Sequence, residues 1–307
     1  MQLLSVIICT HNPRAEYLGR TLAALKTQTL PLDQWELLII DNASNRPLAP
    51  EVDLSWHPNA RHVREERLGL TPARMCGIQS AQAQILIFVD DDNVLDRHYL
   101  ENVLKLSQDW PMLGAWGGQC LPDFEIEPPE WTKEFWEYLG IRTFDRDRWS
   151  NSPYWENTPI GAGLCVRKTV AETYAHSLQN DPRRTNLDRQ GNMLLSCGDM
   201  DFAYTACDMG LGIGVFKDLK LLHLMPPNRL EESYLLRMVE QSVYSRVMLY
   251  FLRGKEADRL SWKEKLKLVL PFRLNPKNWR LAPRERKFKQ AREQGYNLAM
   301  KAILNQQ

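Results

Sequence analysis

The chain has 307 residues, 44% hydrophobic and 25% charged, which fits a globular protein of one large domain or two modest ones and excludes a disordered chain. Its net charge of +1 hides an asymmetry: residues 253–307 carry 15 Lys/Arg against 5 Asp/Glu, and the rest carries a net −9. An acidic body with a basic tail suits an anionic surface at the tail, and no nucleic acid partner is expected. In chain order, residues 3–9 (LLSVIIC) predict a buried strand and 14–28 a helix with Leu18, Leu22 and Leu25 on one face. WELLII, residues 35–40, predicts the next strand, ending at Asp41-Asn42-Ala43-Ser44, with a polar loop to about residue 60. A short strand near 61–65, a helix over 71–82 and a strand ending at Asp90 complete three β–α units. Such alternation means a mostly parallel sheet with right-handed crossovers. After a helix over 96–107, residues 110–157 lose periodicity and carry six of the ten tryptophans, predicting a long, partly ordered excursion. Residues 160–166 (IGAGLCV) predict a Gly-kinked strand followed by a helix. Residues 180–198 are polar, a helix is expected near 199–209, and a short strand pair over 213–223. From Leu230 the chain turns helical, with Leu235, Val239, Val243, Val247 and Phe251 recurring every four residues, and basic helices are expected around 261–270 and 283–304.

The six cysteines are scattered, with no CxxC, and read as buried thiols. No apolar run approaches the 18 or so residues of a spanning helix. With no basic leader before the first strand, a cytoplasmic protein is expected. The stretch WKEKLKLVLPF places Trp262, Leu266 and Val269 on one face with lysines interleaved, which fits either a solvated cap or an interfacial helix. Peripheral attachment to the inner face of the cell membrane through this basic tail is therefore left open.

The densest chemical signal is ILIFVDDDNV, residues 85–94, an apolar strand that stops at Asp90, Asp91 and Asp92. Ligands of open α/β sheets sit beyond the carboxyl ends of strands. Three crowded acids call for a counter-charge, and hard carboxylate oxygens suit Mg²⁺ or Mn²⁺. A solvated turn capping the next helix is the plainer alternative. Thr10-His11-Asn12 and Asp41-Asn42 end two further strands on the same edge. No glycine-rich phosphate loop comes after any strand, so a bound diphosphate would have to be held through a metal.

SVIICTHNPR, LLIIDNASN, the ARMCGIQSA helix and LIFVDDDNV, in this order and spacing, resemble a family 2 glycosyltransferase with the GT-A fold, over about residues 3–225. The resemblance implies an α/β fold with a mostly parallel central sheet. Residues 1–229 would form the catalytic domain (1–110 the nucleotide half, 111–229 the acceptor half) and 230–307 a basic helical extension. It implies an inverting, metal-dependent transfer from a nucleotide-diphosphate sugar, most simply a UDP-sugar. The acceptor would be a saccharide or lipid-linked hydroxyl in cell-surface polysaccharide or glycolipid assembly. Thr10 and Asn12 match the motif packed around the nucleotide, and Asp41 the acid that meets the base; Asn42 stands where a second acid is frequent. Asp90 and Asp92 match the DxD pair, with Asp92 the direct metal ligand. Asp91 is counted with the nucleotide-binding acids, although alternation along an extended backbone turns it the other way. His223 matches a histidine that reaches the metal or diphosphate, and Arg229 faces the diphosphate or begins a helix. CGDMDFAYTACDMG, residues 197–210, resembles the family's GEDxDL motif. Asp199 or Asp201 would be the base, Asp199 favoured, and Gly198 replaces the more frequent acid; capping of the helix is compatible with either role.

Ile160-Gly161-Ala162-Gly163-Leu164 resembles the small-residue segment lining the acceptor side. Trp131, Trp136, Trp149 and Trp155 either pack in a lid or offer faces to a sugar. A nucleotidyltransferase would need a basic, glycine-rich loop near the N-terminus, which is missing. A receiver domain would end by about residue 120, whereas the acidic motifs run to Asp201. A non-catalytic nucleotide-sugar-binding module stays open.

Overall fold

A computed structural model describes residues 2–189, 191, 193–254 and 281–305. The first strand, β1 (Leu4–Thr10), is apolar on both faces because it lies between two parallel neighbours, β2 (Trp35–Asn42) and β4 (Ile85–Asp90). β3 (Ala60–Glu65) extends the parallel set beyond β2. Registers are unbroken, pairing Thr10 with Asp41 and Cys9 with Asp90, so three strand ends finish level at one edge of the sheet. The remaining strands are β5 (Asn93–Leu95), β6 (Leu113–Phe124), β7 (Arg148–Ser150), β8 (Leu164–Arg167) and β9 (Gly212–Met225). Among the described residues the sheet has nine strands in the order β3-β2-β1-β4-β8-β6-β9-β5, with β7 on β9. β8 and β5 run antiparallel to their neighbours, so the sheet is mixed but mostly parallel.

Helices α1 (Ala15–Lys26), α2 (Leu70–Ser80), α3 (Tyr99–Asp109), α4 (Lys168–Asn180) and α5 (Gly198–Asp208) cover the two faces. α1 buries Leu18, Leu22 and Leu25, as its spacing predicts. Among the described residues two further helices follow, α6 (Glu232–Leu252) and α7 (Pro283–Leu304). They join the body: Met248, Leu249, Met300 and Ile303 enter the apolar cluster that holds Ile7 and Leu86, and Phe135 stacks on Phe288 at 3.8 Å. All six cysteines are free thiols. No helix among the described residues is long and apolar enough to cross a membrane. The helix expected over 261–270, with Trp262, Leu266 and Val269, lies outside the described residues.

Two expectations are corrected. The excursion over 110–157 contains β6, a twelve-residue strand inside the sheet between β8 and β9. Its glycines and Pro122 disguise it, and the sheet explains one of them. A Cβ on Gly118 would sit 2.0 Å from the Leu219 carbonyl oxygen, so β9 passes too close for any side chain. The strand pair expected over 213–223 is one long strand, β9, parallel to β6. Pairing jumps from Val215 to Lys220, and the exposed Lys217-Asp218 of this bulge read in sequence as a turn.

Candidate active site

The level strand ends open into a cavity of about 610 Å³. Thr10, Asp90, Asp91 and Asp92 line one wall. β4 ends at Asp90 and residues 91–92 turn, so strict alternation stops and all three acids reach the cavity, Asp91 included. The Thr10 hydroxyl donates to Asp91 Oδ2. Asp92 Oδ2 lies 3.0 Å from Arg229 and 3.3 Å from His223 Nε2, and its Oδ1 accepts from Asn93 at 3.0 Å. His223 reaches this position because β9 pairs with β5, setting His223 opposite Asn93.

Burial and the Asp92 charge raise Asp90 above the ordinary carboxylate range. Burial, then Asp92, pushes Asp91 up to about 7, the Thr10 hydrogen bond opposing. Asp92 is itself buried, yet His223 and Arg229 hold it well below the usual range. The wall thus sets one acid that favours its charge beside two that burial and crowding make costly to ionise, a cost that a bound cation would relieve. The His223 Nδ1 is buried without a partner among the described residues. Among the described residues no three His, Cys, Asp or Glu side chains form a cage for a metal by themselves. The carboxylate oxygens of Asp90 and Asp92, with the His223 ring beside them, are of the kind that would suit a hard divalent ion.

A second part of the lining comes from α2, α5 and Asp188, which follows the turn Pro182–Leu187. Asp199, at the start of α5, accepts Gly161 N–H at 2.7 Å and Met200 N–H at 2.8 Å. Burial pushes its pKa up to about 6, with the Arg74 charge opposing and Asp188 adding to the rise. Arg74 is buried in α2 and donates to Asp188 at 3.0 Å. Trp155, 40% exposed, closes the rim, its indole N–H donating to Glu137 and its ring lying under the Arg142 guanidinium.

Of the residues singled out in sequence, Thr10, Asp90, Asp91, Asp92, Asp199, His223 and Arg229 line this cavity. Asp201, Asp41 and Asn12 lie outside its lining. Asp201 is fully buried, clamped by Arg184 at 2.7 and 2.8 Å and by Arg253 at 2.7 Å, so the helix period turns it into the core while Asp199 faces the cavity. Asp41 accepts the Ser44 and Leu48 N–H groups and pairs with Arg64 at 2.7 Å. Although burial opposes it, these hydrogen bonds keep its carboxyl below the ordinary range. Asn42 lines the cavity instead, bonding Glu65, Arg67 and Gly69 and so holding the loop whose Leu68 and Gly69 form the rim. Asn12, at φ 48°, accepts Asn45 N–H and ties the first strand end to the second.

Sequence reasoning passed over Arg74 and Asp188. Arg74 carried a signal: with Thr71, Ala73, Gly77 and Ile78 it lies on the buried face of α2, an unusual place for an unpaired arginine. Asp188 sits in a polar stretch with no periodicity, and nothing local marked it.

Glycosyl transferase family 2 matches residues 5–170, more than half of the chain. The glycosyltransferase AglE of Haloferax volcanii is 30% identical over 104 residues, 33% of this chain and 34% of that protein. The validoxylamine A glucosyltransferase of Streptomyces hygroscopicus is 36% identical over 106 residues, 33% of this chain and 25% of that protein. The chain thus spans about a third or less of these relatives. S. aureus TarS 1–349 superposes over 100% of this chain and 92% of its own, at a TM-score of 0.52 and 13% identity, and its UDP complex at 0.51. That likeness shows the shared fold, with its mostly parallel sheet between helices. On the family match and the fold together, the chain belongs to glycosyl transferase family 2.

Proposed function

We propose that the protein is an inverting, metal-dependent glycosyltransferase moving a sugar from a nucleotide-diphosphate donor to a saccharide or lipid-linked hydroxyl. The observation that carries this is one cavity holding strand-end acids on one wall and, on the other, a carboxylate poised near neutral. A UDP-sugar is the favoured donor, since TarS, of the same fold, is known in complex with UDP and with UDP-GlcNAc.

A Mg²⁺ or Mn²⁺ ion held by Asp90 and Asp92, with His223 beside it, would neutralise charge on the departing diphosphate. Arg229, fixed on Asp92, adds a permanent positive charge at the same end. Asp199 takes the proton of the acceptor hydroxyl as its oxygen attacks the anomeric carbon from the face opposite the diphosphate. A pKa near 6 leaves Asp199 ionised at neutral pH yet basic enough to accept that proton. Gly161 and Met200 fix its orientation through their N–H groups. One base and a neutralised leaving group suffice, so Asp201 is assigned to stability.

Cell-surface polysaccharide or glycolipid assembly at the inner face of the membrane is proposed as the setting. The cationic α7, with Arg284, Arg286, Lys287 and Arg292 exposed, supports contact with an anionic surface. The first test is thermal stability with UDP, GDP, dTDP, CDP and ADP, each with and without Mn²⁺. A metal-dependent shift with UDP, lost in Asp92→Asn, is expected. No shift with any diphosphate would overturn the donor site.

A further inference from the structure

Position 198 lacks a side chain for a reason that lies in another segment. A Cβ on Gly198 would come within 2.2 Å of Asp188 Cγ and 2.3 Å of both carboxylate oxygens. The Asp188 carboxylate therefore fills the space that a side chain at position 198 would take. Cys197 N–H donates to the Leu187 carbonyl at 3.0 Å, which ties the residue before Asp188 to the residue before α5. Asp188 is 4% exposed and lines the cavity beside Asp199.

The two oxygens of Asp188 have different surroundings. Oδ2 accepts from Thr71 Oγ1 and from Arg74 Nη1, each at 3.0 Å. Oδ1 accepts no hydrogen bond among the described residues, and Asp188 lines the cavity, so this oxygen is available to a group that enters it. Beside it, Asp199 accepts the Gly161 and Met200 N–H groups. A hydroxyl entering the cavity suits this carboxylate oxygen as a donor.

We propose that Asp188 is an acceptor-binding residue: through Oδ2 it holds Arg74 in place on the wall shared with Asp199, and through Oδ1 it accepts a hydrogen bond from a second hydroxyl of the acceptor saccharide. Two carboxylates then grip two hydroxyls of one sugar, and the pair decides which hydroxyl meets the base. This rests on the transfer reading above. It makes the enzyme selective for acceptors carrying a free hydroxyl next to the one that is glycosylated. A deoxy sugar at that neighbouring position leaves Oδ1 unpaired and is rejected.

The test compares transfer with donor hydrolysis, using UDP-glucose and UDP-GlcNAc as donors. Octyl glycosides of glucose, galactose and N-acetylglucosamine serve as acceptor probes, with the deoxy analogues of whichever is used best. In Asp188→Ala the ratio of transfer to hydrolysis is expected to fall about tenfold to a hundredfold, mainly through the acceptor KM, the scale of one charged hydrogen bond. One deoxy analogue should be as poor for the wild type as the parent sugar is for the variant. The isosteric Asp188→Asn keeps the shape and should show the same direction if truncation harms folding. Moving the carboxylate, in Asp188→Gly with Gly198→Asp, should restore much of the ratio, whereas Gly198→Asp alone should lose thermal stability. An unchanged ratio in both Asp188 variants, or equal losses of transfer and hydrolysis, would reduce Asp188 to a structural partner of Arg74 and overturn the proposal. A wild type that neither hydrolyses nor transfers any donor would instead overturn the transferase reading, and this inference with it.

Discussion

On the strand wall of the cavity, Thr10 and Asp90 to Asp92 arrive together because β1 and β4 are parallel and in register. On the helix wall, Arg74 and Asp188 are 114 residues apart in sequence and meet through packing of α2 against the turn that precedes α5. The first wall is set by local pattern: an apolar run ends, and the next residues face the crevice. The second wall depends on long-range contacts, and only there does an acid change role within two residues. Asp199 and Asp201 share the first turn of α5, yet one faces the cavity at a pKa of about 6 and the other is locked between two arginines. Acidity near a helix start is thus no guide to function until its surroundings are known.

The contrast between these two acids gives the largest expected effects. Asp199→Asn should lower kcat by about 10²- to 10⁴-fold, the range of a general base, while the melting temperature stays close to wild type. Asp201→Asn should do the reverse, leaving two buried guanidinium groups with half their compensation. Breaking such a buried network costs about 3–5 kcal/mol, a fall of roughly 10 °C by differential scanning fluorimetry, with activity per folded molecule largely kept. Equal effects of the two substitutions on kcat would erase the distinction between them.

On the strand wall, Asp92→Asn should abolish the Mn²⁺-dependent stabilisation by UDP, about 2.7 kcal/mol at a hundred times the dissociation constant. Chelation of the metal in the wild type should do the same, and a UDP shift that survives both would show a donor site held by Arg229 and His223 alone. The pH profile separates the walls further. The base must be deprotonated and its pKa is raised to about 6, so kcat/KM should be flat above that pH and fall about tenfold per unit below it. In Asp199→Asn that limb should disappear. The smallest effect is expected at Asp41, which lies outside the cavity lining: Asp41→Asn should cost about 1–3 kcal/mol through its lost hydrogen bonds to Ser44, Leu48 and Arg64. A loss of UDP affinity larger than that loss of stability would bring Asp41 back to the base.

Most of the N-terminal half was legible because parallel strands buried on both faces read as apolar runs: β1, β2 and β4 fall within a residue or two of their expected limits. β6 and the true length of β9 were hidden, since Gly118 and the bulge at Lys217-Asp218 answer to a neighbouring strand and not to local propensity. The C-terminal helix α7 was visible by its limits, but its packing against Phe135 was not.

The sequence by itself determined the mostly parallel sheet, the cluster of acids at its carboxyl edge, and the two acids of α5, because strand burial and helix period act over a few residues. Only the tertiary structure decided that Asp199 faces the cavity, that Asp201 and Asp41 are held by arginines, and that Asp188 stands in the space above Gly198. Desolvation, charge pairing and close packing depend on which distant groups come within a few ångströms, and no local pattern encodes that.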